Sequence, residues 1–67
     1  MTPVERANLR ASVDLENRSD LMAVACDFGG ATRLMKEVNR LRAEHFGLNR
    51  GADPNHLRAL TVEALSE

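Results

Sequence analysis

Aromatic residues are nearly absent from this sequence, which contains no Trp, no Tyr and only two Phe. Ile is missing as well, so any buried core must consist mainly of Leu, Val, Met and Ala side chains. With 67 residues, the chain forms one domain at most. A folded chain of this size buries only about 60% of the surface that it exposes when unfolded. The core alone therefore gives a thin margin of stability.

Cysteine is also scarce, because Cys26 is the only one in the chain and no disulfide can form within it. We interpret Cys26 as an inert small core residue in a protein of a reducing compartment. Together with His45 and His56 it does not have the spacing of a zinc site, so we expect no metal and no cofactor. Without such covalent or metal links, a chain this small is expected to associate, most simply as a homodimer.

Long apolar runs are missing too. The longest, residues 21–26, is far too short to cross a bilayer. The polar first residues do not resemble a signal peptide, so we expect a cytoplasmic protein without membrane contact. The net charge of -1 is not that of a strongly basic nucleic-acid binder. Basic residues are nevertheless concentrated in residues 33–50, which contain five of them against two Glu.

Nothing in the sequence combines residues in a catalytic pattern. Asp14 and Glu16 are two positions apart, so on a helix their side chains diverge. The pair Gly29–Gly30 lacks the Lys-Ser or Lys-Thr that follows a phosphate-binding loop. No nucleophile lies beside a base. We therefore expect a protein that is not an enzyme.

Helical periodicity runs through the whole sequence, and no alternating pattern typical of strands occurs. We predict an all-α fold, a three- or four-helix domain covering residues 1–67 and built on a helical hairpin. Pro3 and Asp53–Pro54 signal helix starts, the polar residues 17–20 favour a break, and Gly29–Gly30 predicts the corner of the hairpin. The predicted helices span residues 3–17, 20–28, 31–46 and 54–66.

The predicted helices carry several apolar rows. In the first, one row is Val4, Ala7, Ala11 and Leu15, and a second is Leu9 and Val13. These rows either contact two neighbours within one core, or one of them meets a second chain. The second predicted helix has a core stripe of Leu21, Val24, Ala25 and Phe28. The third has a heptad seam of Leu34, Val38, Leu41, His45 and Leu48. This seam is either core or a groove for another protein's helix.

Residues 21–40 resemble a helix-turn-helix DNA-binding element. The resemblance rests on the small Ala25, on Gly29 at the turn and on the apolar Met35 in the following helix. It implies that one side of that helix faces the major groove and the DNA backbone, through Thr32, Arg33, Lys36 and Arg40. The second glycine, Gly30, departs from the motif, which usually has an apolar residue there.

Our leading hypothesis is a small regulatory protein that binds a partner protein through a helical surface and occludes it. Apolar anchors with an arginine rim are typical of such contacts. The expected contact residues are Arg33, Met35, Lys36, Asn39, Arg40, Arg42 and Phe46. The alternative is a small DNA-binding transcriptional regulator that uses the helix-turn-helix residues. In the plainest interpretation, Arg33–Glu37 and Arg40–Glu44 are ordinary i, i+4 pairs on a solvated helix face.

Overall fold

The structure is a computed structural model that describes residues 1–67 and contains three helices and no strand. The helices are α1 (Pro3–Val24), α2 (Phe28–Phe46) and α3 (Pro54–Leu65). The prediction of an all-α fold is confirmed. So is the helical hairpin, because α1 and α2 pack against each other far more extensively than either packs against α3.

The first helix starts at a capping box and runs without interruption to Val24. The Thr2 hydroxyl accepts from the backbone N–H of Glu5, and the Glu5 carboxylate accepts from that of Thr2. The break predicted at residues 17–20 is wrong. Ser19 does not cap a helix, because its hydroxyl is buried and donates to the Ala31 carbonyl of α2, 2.9 Å away.

The hairpin turns at Cys26 rather than at the glycine pair. Cys26 has a left-handed backbone conformation, with a φ of 64°. Its N–H bonds to the Ala23 carbonyl, and the N–H of Asp27 bonds to the Met22 carbonyl at 2.8 Å. This is a Schellman motif, in which glycine is the usual left-handed residue. The predicted corner and the predicted start of the next helix at residue 31 are therefore both wrong.

Both glycines lie in the first turn of α2, and one of them has a packing role. The Asp27 carboxylate caps α2 by accepting from the Gly30 N–H at 3.0 Å. A Cβ on Gly30 would lie 2.6 Å from Asp27 Oδ2 and 2.9 Å from Met22 Sδ. A Cβ on Gly29 would have no atom within 4 Å. Gly30 thus makes room for the cap and for α1.

The end of α2 and the start of α3 follow the sequence signals. Gly47 ends α2 with a φ of 67°, and the Asp53 carboxylate caps α3 by accepting from the Asn55 N–H at 3.0 Å. Arg6 Nη2 donates to the Leu65 carbonyl at 3.1 Å, and Arg58 Nε lies 3.9 Å from Glu16 Oε2. These two contacts place α3 antiparallel to the N-terminal two thirds of α1.

Small side chains line the contact between α1 and α2. The buried Ser19 of α1 bonds to Ala31 of α2, the buried Ser12 bonds to Arg42, and Gly30 lies close to Met22 of α1. Ser12 contacts Arg42 although it lies twelve residues before the end of α1. The helices therefore run side by side over about 18 Å, at 1.5 Å per residue. The two helices of a DNA-binding helix-turn-helix cross instead at about 90–120°.

Candidate functional site

Arg42 is not on the surface, although the sequence analysis places it among the partner contacts. Only 1% of its side chain is exposed. Its Nε donates to Ser12 Oγ at 3.1 Å, and its Nη2 donates to Glu16 Oε1 at 3.2 Å. The prediction of Arg42 as a partner contact is therefore wrong. Positions 31, 35, 38 and 42 repeat at the three- and four-residue spacing of one helix face. Because Arg42 is charged, an apolar pattern does not include it in this face.

The Arg42 guanidinium joins two helices and reaches a third through Glu16. The Glu16 carboxylate, 15% exposed, accepts from Arg42 and also lies near Arg58 of α3. The Ser12 hydroxyl donates in turn to the Leu9 carbonyl. Because the Arg42 charge is paired inside the protein, this cluster joins the helices to one another, and its guanidinium is not exposed to a partner.

The other predicted contact residues differ in their exposure. Arg33, Lys36 and Arg40 are exposed on the outer side of α2, and Thr32 is exposed with its hydroxyl donating to the Phe28 carbonyl at 2.8 Å. The remaining three are half-buried, namely Met35, Asn39 and Phe46. The Phe46 ring packs edge to face against His45, with ring centres 4.8 Å apart.

Arg40 is the only one of these exposed cations that is paired. Its guanidinium binds the Glu37 carboxylate and, at 3.1 Å, Glu44 Oε2. The hydrogen bond from Arg40 lowers the pKa of Glu37 below its usual 4.5. The same bond raises the pKa of Arg40. Arg33 makes no ion pair with Glu37, so that predicted i, i+4 pair is absent.

The end of the hairpin exposes apolar residues that the sequence analysis places in the core. The exposed fractions are 71% for Leu21, 84% for Val24 and 65% for Phe28. Cys26 is exposed as well. The predicted core stripe and the predicted burial of Cys26 are both wrong. The reason is that α3 packs alongside the earlier part of α1, and no other element covers the turn.

A second uncovered apolar surface lies along the hairpin, opposite α3. The cavity between α1 and α2 on this side, of about 370 Å³, is bordered by Leu41 and His45 together with the polar or charged residues Glu5, Asn8, Arg40 and Glu44. The α3 residue Leu65 borders a different cavity with Val13. Position 15 lies 200° around α1 from position 13, so Leu15 is directed away from α3. We call this surface the open face, and its residues are Val4, Ala11, Leu15, Leu34, Leu41 and His45.

The open face consists of residues from the α1 row and the α2 seam. The sequence allowed each of these to be either part of the core or a contact with another chain. Val4 and Ala11 are exposed and Leu15 is half-buried, although they repeat at helical spacing. Leu34, Leu41 and His45 are half-buried, and within the same seam only Val38 is fully buried. The α1 row is thus not wedged between two helices of its own core. Its apolar side chains are available to another chain.

The exposed area agrees with an uncovered face. The accessible surface is 4720 Å². A folded monomer of 7.4 kDa is expected to expose about 4,200 Å². The excess is roughly 500 Å², against about 800 Å² lost by one partner in a standard protein–protein interface. The exposed Leu21, Val24 and Phe28 at the hairpin end contribute to it as well as the open face.

The chain matches no protein-family model, no curated protein and no solved structure. None of the three helices is both long enough and apolar enough to cross a membrane.

Proposed function

We propose that this chain is a small, non-enzymatic, protein-binding regulatory module whose open face receives an amphipathic helix of another protein. The observation that carries the proposal is the incomplete burial of two apolar rows, one on α1 and one on α2, although both repeat at helical spacing. The cavity between these helices has Leu41 as its apolar member and is otherwise polar. Burial of such rows is the main favourable term in protein association.

The shape of the open face supports a helix as its occupant. Two antiparallel helices form a groove on each side, and α3 already occupies the groove on one side. On the other side, Val4, Ala11 and Leu15 span about 16 Å of α1 at 1.5 Å per residue. A partner helix of three turns matches that length. Binding it would cover the partner's apolar face, so that face would be blocked from its other contacts.

One charged substitution tests the open face. Ala11→Glu places a carboxylate within the α1 row, between Val4 and Leu15, at an exposed helical position. We expect it to abolish partner binding without reducing helicity, because burying an unpaired charge is strongly unfavourable. The matched control is Ala59→Glu, which makes the same change at an exposed position of α3. The assay is affinity capture from the native host, with quantitative mass spectrometry of wild type and both variants.

We expect wild type and Ala59→Glu to capture one host protein in equal amounts, and Ala11→Glu to capture none of it. A synthetic peptide of that protein's helix should then bind purified wild type and not Ala11→Glu. Equal capture by both variants, or a peptide that binds both, would contradict the proposal. Circular dichroism of all three proteins shows whether the fold is preserved.

A homodimer through the same face stays a prediction. If each of two copies buried the roughly 500 Å² by which its surface exceeds that of a typical monomer, the interface would total roughly 1,000 Å². That area is the lower limit for a specific interface. Sedimentation equilibrium of wild type and Ala11→Glu tests it. A dimer that Ala11→Glu converts to a monomer would identify a second copy as the occupant and would overturn the proposal of a different protein.

Transcriptional regulation through DNA binding is the competing function. It can be tested with the same purified wild-type and variant proteins. Arg33 and Lys36 are exposed and unpaired, as phosphate contacts require. The side-by-side packing of α1 and α2 does not favour it, since a recognition helix must project into the groove. Fluorescence titration with genomic duplexes at two salt concentrations should show no sequence preference. Sequence-specific binding that weakens steeply with salt would favour DNA.

A further inference from the structure

A second, polar cleft lies where the loop after α2 passes over that helix. We propose that this cleft binds a phosphate-type oxoanion, which goes beyond the binding of a partner helix at the open face. Its lining consists of Lys36, Asn39 and Arg40 of α2 and Arg50 of the loop, around a cavity of about 330 Å³. No apolar and no acidic residue lines it.

Helix α2 and the loop after it place basic residues that are distant in sequence around the same cleft. Arg50 is fourteen positions after Lys36, and it borders the cleft because the left-handed Gly47 ends α2 and turns the chain. Arg50 also borders the adjoining cavity with Arg40 and Leu48. No sequence pattern indicates Arg50, because its approach to α2 depends on the path of the loop.

The charge of the cleft is positive after its ion pairs are taken into account. Arg40 is bound by Glu37 and Glu44, so these three groups together carry one negative charge. Lys36 and Arg50 have no carboxylate partner, and each contributes one positive charge. The net local charge of +1, at a site with two unpaired cations, favours an anion.

The cleft also holds hydrogen-bonding capacity that the protein does not use. Arg40 donates three of its five N–H groups to the two carboxylates, which fixes the plane of its guanidinium and leaves two donors. Lys36 and Arg50 use none of theirs in side-chain bonds. An oxoanion would accept hydrogen bonds from these unused N–H groups.

Phosphate titration observed by NMR tests the cleft. Inorganic phosphate and glycerol 2-phosphate are each added to ¹⁵N-labelled protein at constant, low ionic strength. We expect saturable shifts of the amide signals of Lys36, Asn39 and Arg50. Arg50→Gln should weaken binding by about tenfold or more, because a charge-assisted contact is lost. The matched control is Arg33→Gln, an exposed and unpaired cation on α2 that does not line the cleft.

The two ligands identify the source of the phosphate. Saturable binding of both shows that an esterified phosphate fits, whereas binding of inorganic phosphate alone shows a site for the free ion. The proposal would be overturned by shifts that do not saturate, or by equal weakening in Arg50→Gln and Arg33→Gln. Tight binding of duplex DNA with equal dependence on Arg33 and Arg50 would also overturn it, since that pattern indicates a general basic surface. The Ala11→Glu variant should bind phosphate normally, so this proposal and the one for the open face can fail separately.

Discussion

Arg42 Nε donates to the Ser12 hydroxyl at 3.1 Å in the centre of the hairpin, with 1% of the Arg42 side chain exposed. A long charged side chain of one helix thus lies opposite a small hydroxyl residue of the other. Neither residue is apolar, yet together they occupy the place of a core pair. The bond also fixes the register of α1 against α2, because it requires these two positions to be adjacent.

Removal of this arginine should strongly destabilise the fold. Arg42→Ala leaves Ser12 and Glu16 without their donor and leaves a cavity, so we expect the free energy of unfolding to fall by about 3 kcal/mol, the lower end for breaking a buried ion pair. Urea denaturation followed by circular dichroism measures it. Arg40→Ala is the control, because its two ion pairs are exposed and contribute little. Similar losses in both variants would argue against the role of Arg42.

The two adjacent glycines should respond to alanine in opposite ways. In Gly30→Ala the new Cβ meets the ends of the Asp27 and Met22 side chains, so both must shift. We expect a loss of about 0.5–2 kcal/mol in unfolding free energy, because the displaced Asp27 carboxylate no longer caps α2. In Gly29→Ala the Cβ meets nothing, and the stability should rise by about 0.5–1 kcal/mol, because alanine loses less backbone entropy in a helix. Paired urea denaturation curves separate the cases. Stabilisation by both substitutions would disprove the packing role of Gly30.

Cys26 holds a left-handed conformation that suits glycine better. Cys26→Gly should raise the free energy of unfolding by about 1 kcal/mol, since the steric conflict of the Cβ is removed. The neighbouring Ala25, with a φ of -81°, provides the control. Ala25→Gly should lower the stability, because it only adds freedom to the unfolded chain. Thermal unfolding of both variants under reducing conditions gives the comparison, and a lower midpoint for Cys26→Gly would contradict the expectation.

The start of α1 should loosen in acid. The hydrogen bond from the Thr2 backbone lowers the pKa of Glu5 below its usual value of 4.5. A carboxyl group with a lowered pKa stabilises the fold above 4.5 and loses that contribution as the pH falls through the lowered pKa. The exchange protection of the amides of residues 4–8, measured against their intrinsic exchange rates at each pH, should therefore fall as the pH drops through the lowered pKa. Glu5→Gln keeps the acceptor but does not titrate, so its exchange protection in this segment should depend less on pH. An equal dependence would exclude Glu5 as the cause.

The sequence by itself determined the all-α class, the hairpin and the helix ends that local chemistry controls. The Thr2–Pro3 and Asp53–Pro54 starts and the Gly47 end depend on a few neighbouring residues, and such signals are readable along the chain. Periodicity also identified the apolar rows of the open face. It did not reveal which rows the protein covers itself.

Only the tertiary structure decided which side of each helix is buried. Burial depends on where α3 packs, and that position leaves Leu21, Val24 and Phe28 exposed although their spacing is typical of a core stripe. The interior instead admits Arg42, because the small Ser12 lies opposite it and Glu16 pairs its charge. The turn at Cys26 likewise follows from the packing of the two helices, since no local signal favours a left-handed cysteine over a neighbouring glycine. The tertiary structure also decides that Arg50 and Lys36 line the same cleft, because the position of Arg50 depends on the path of the loop after α2.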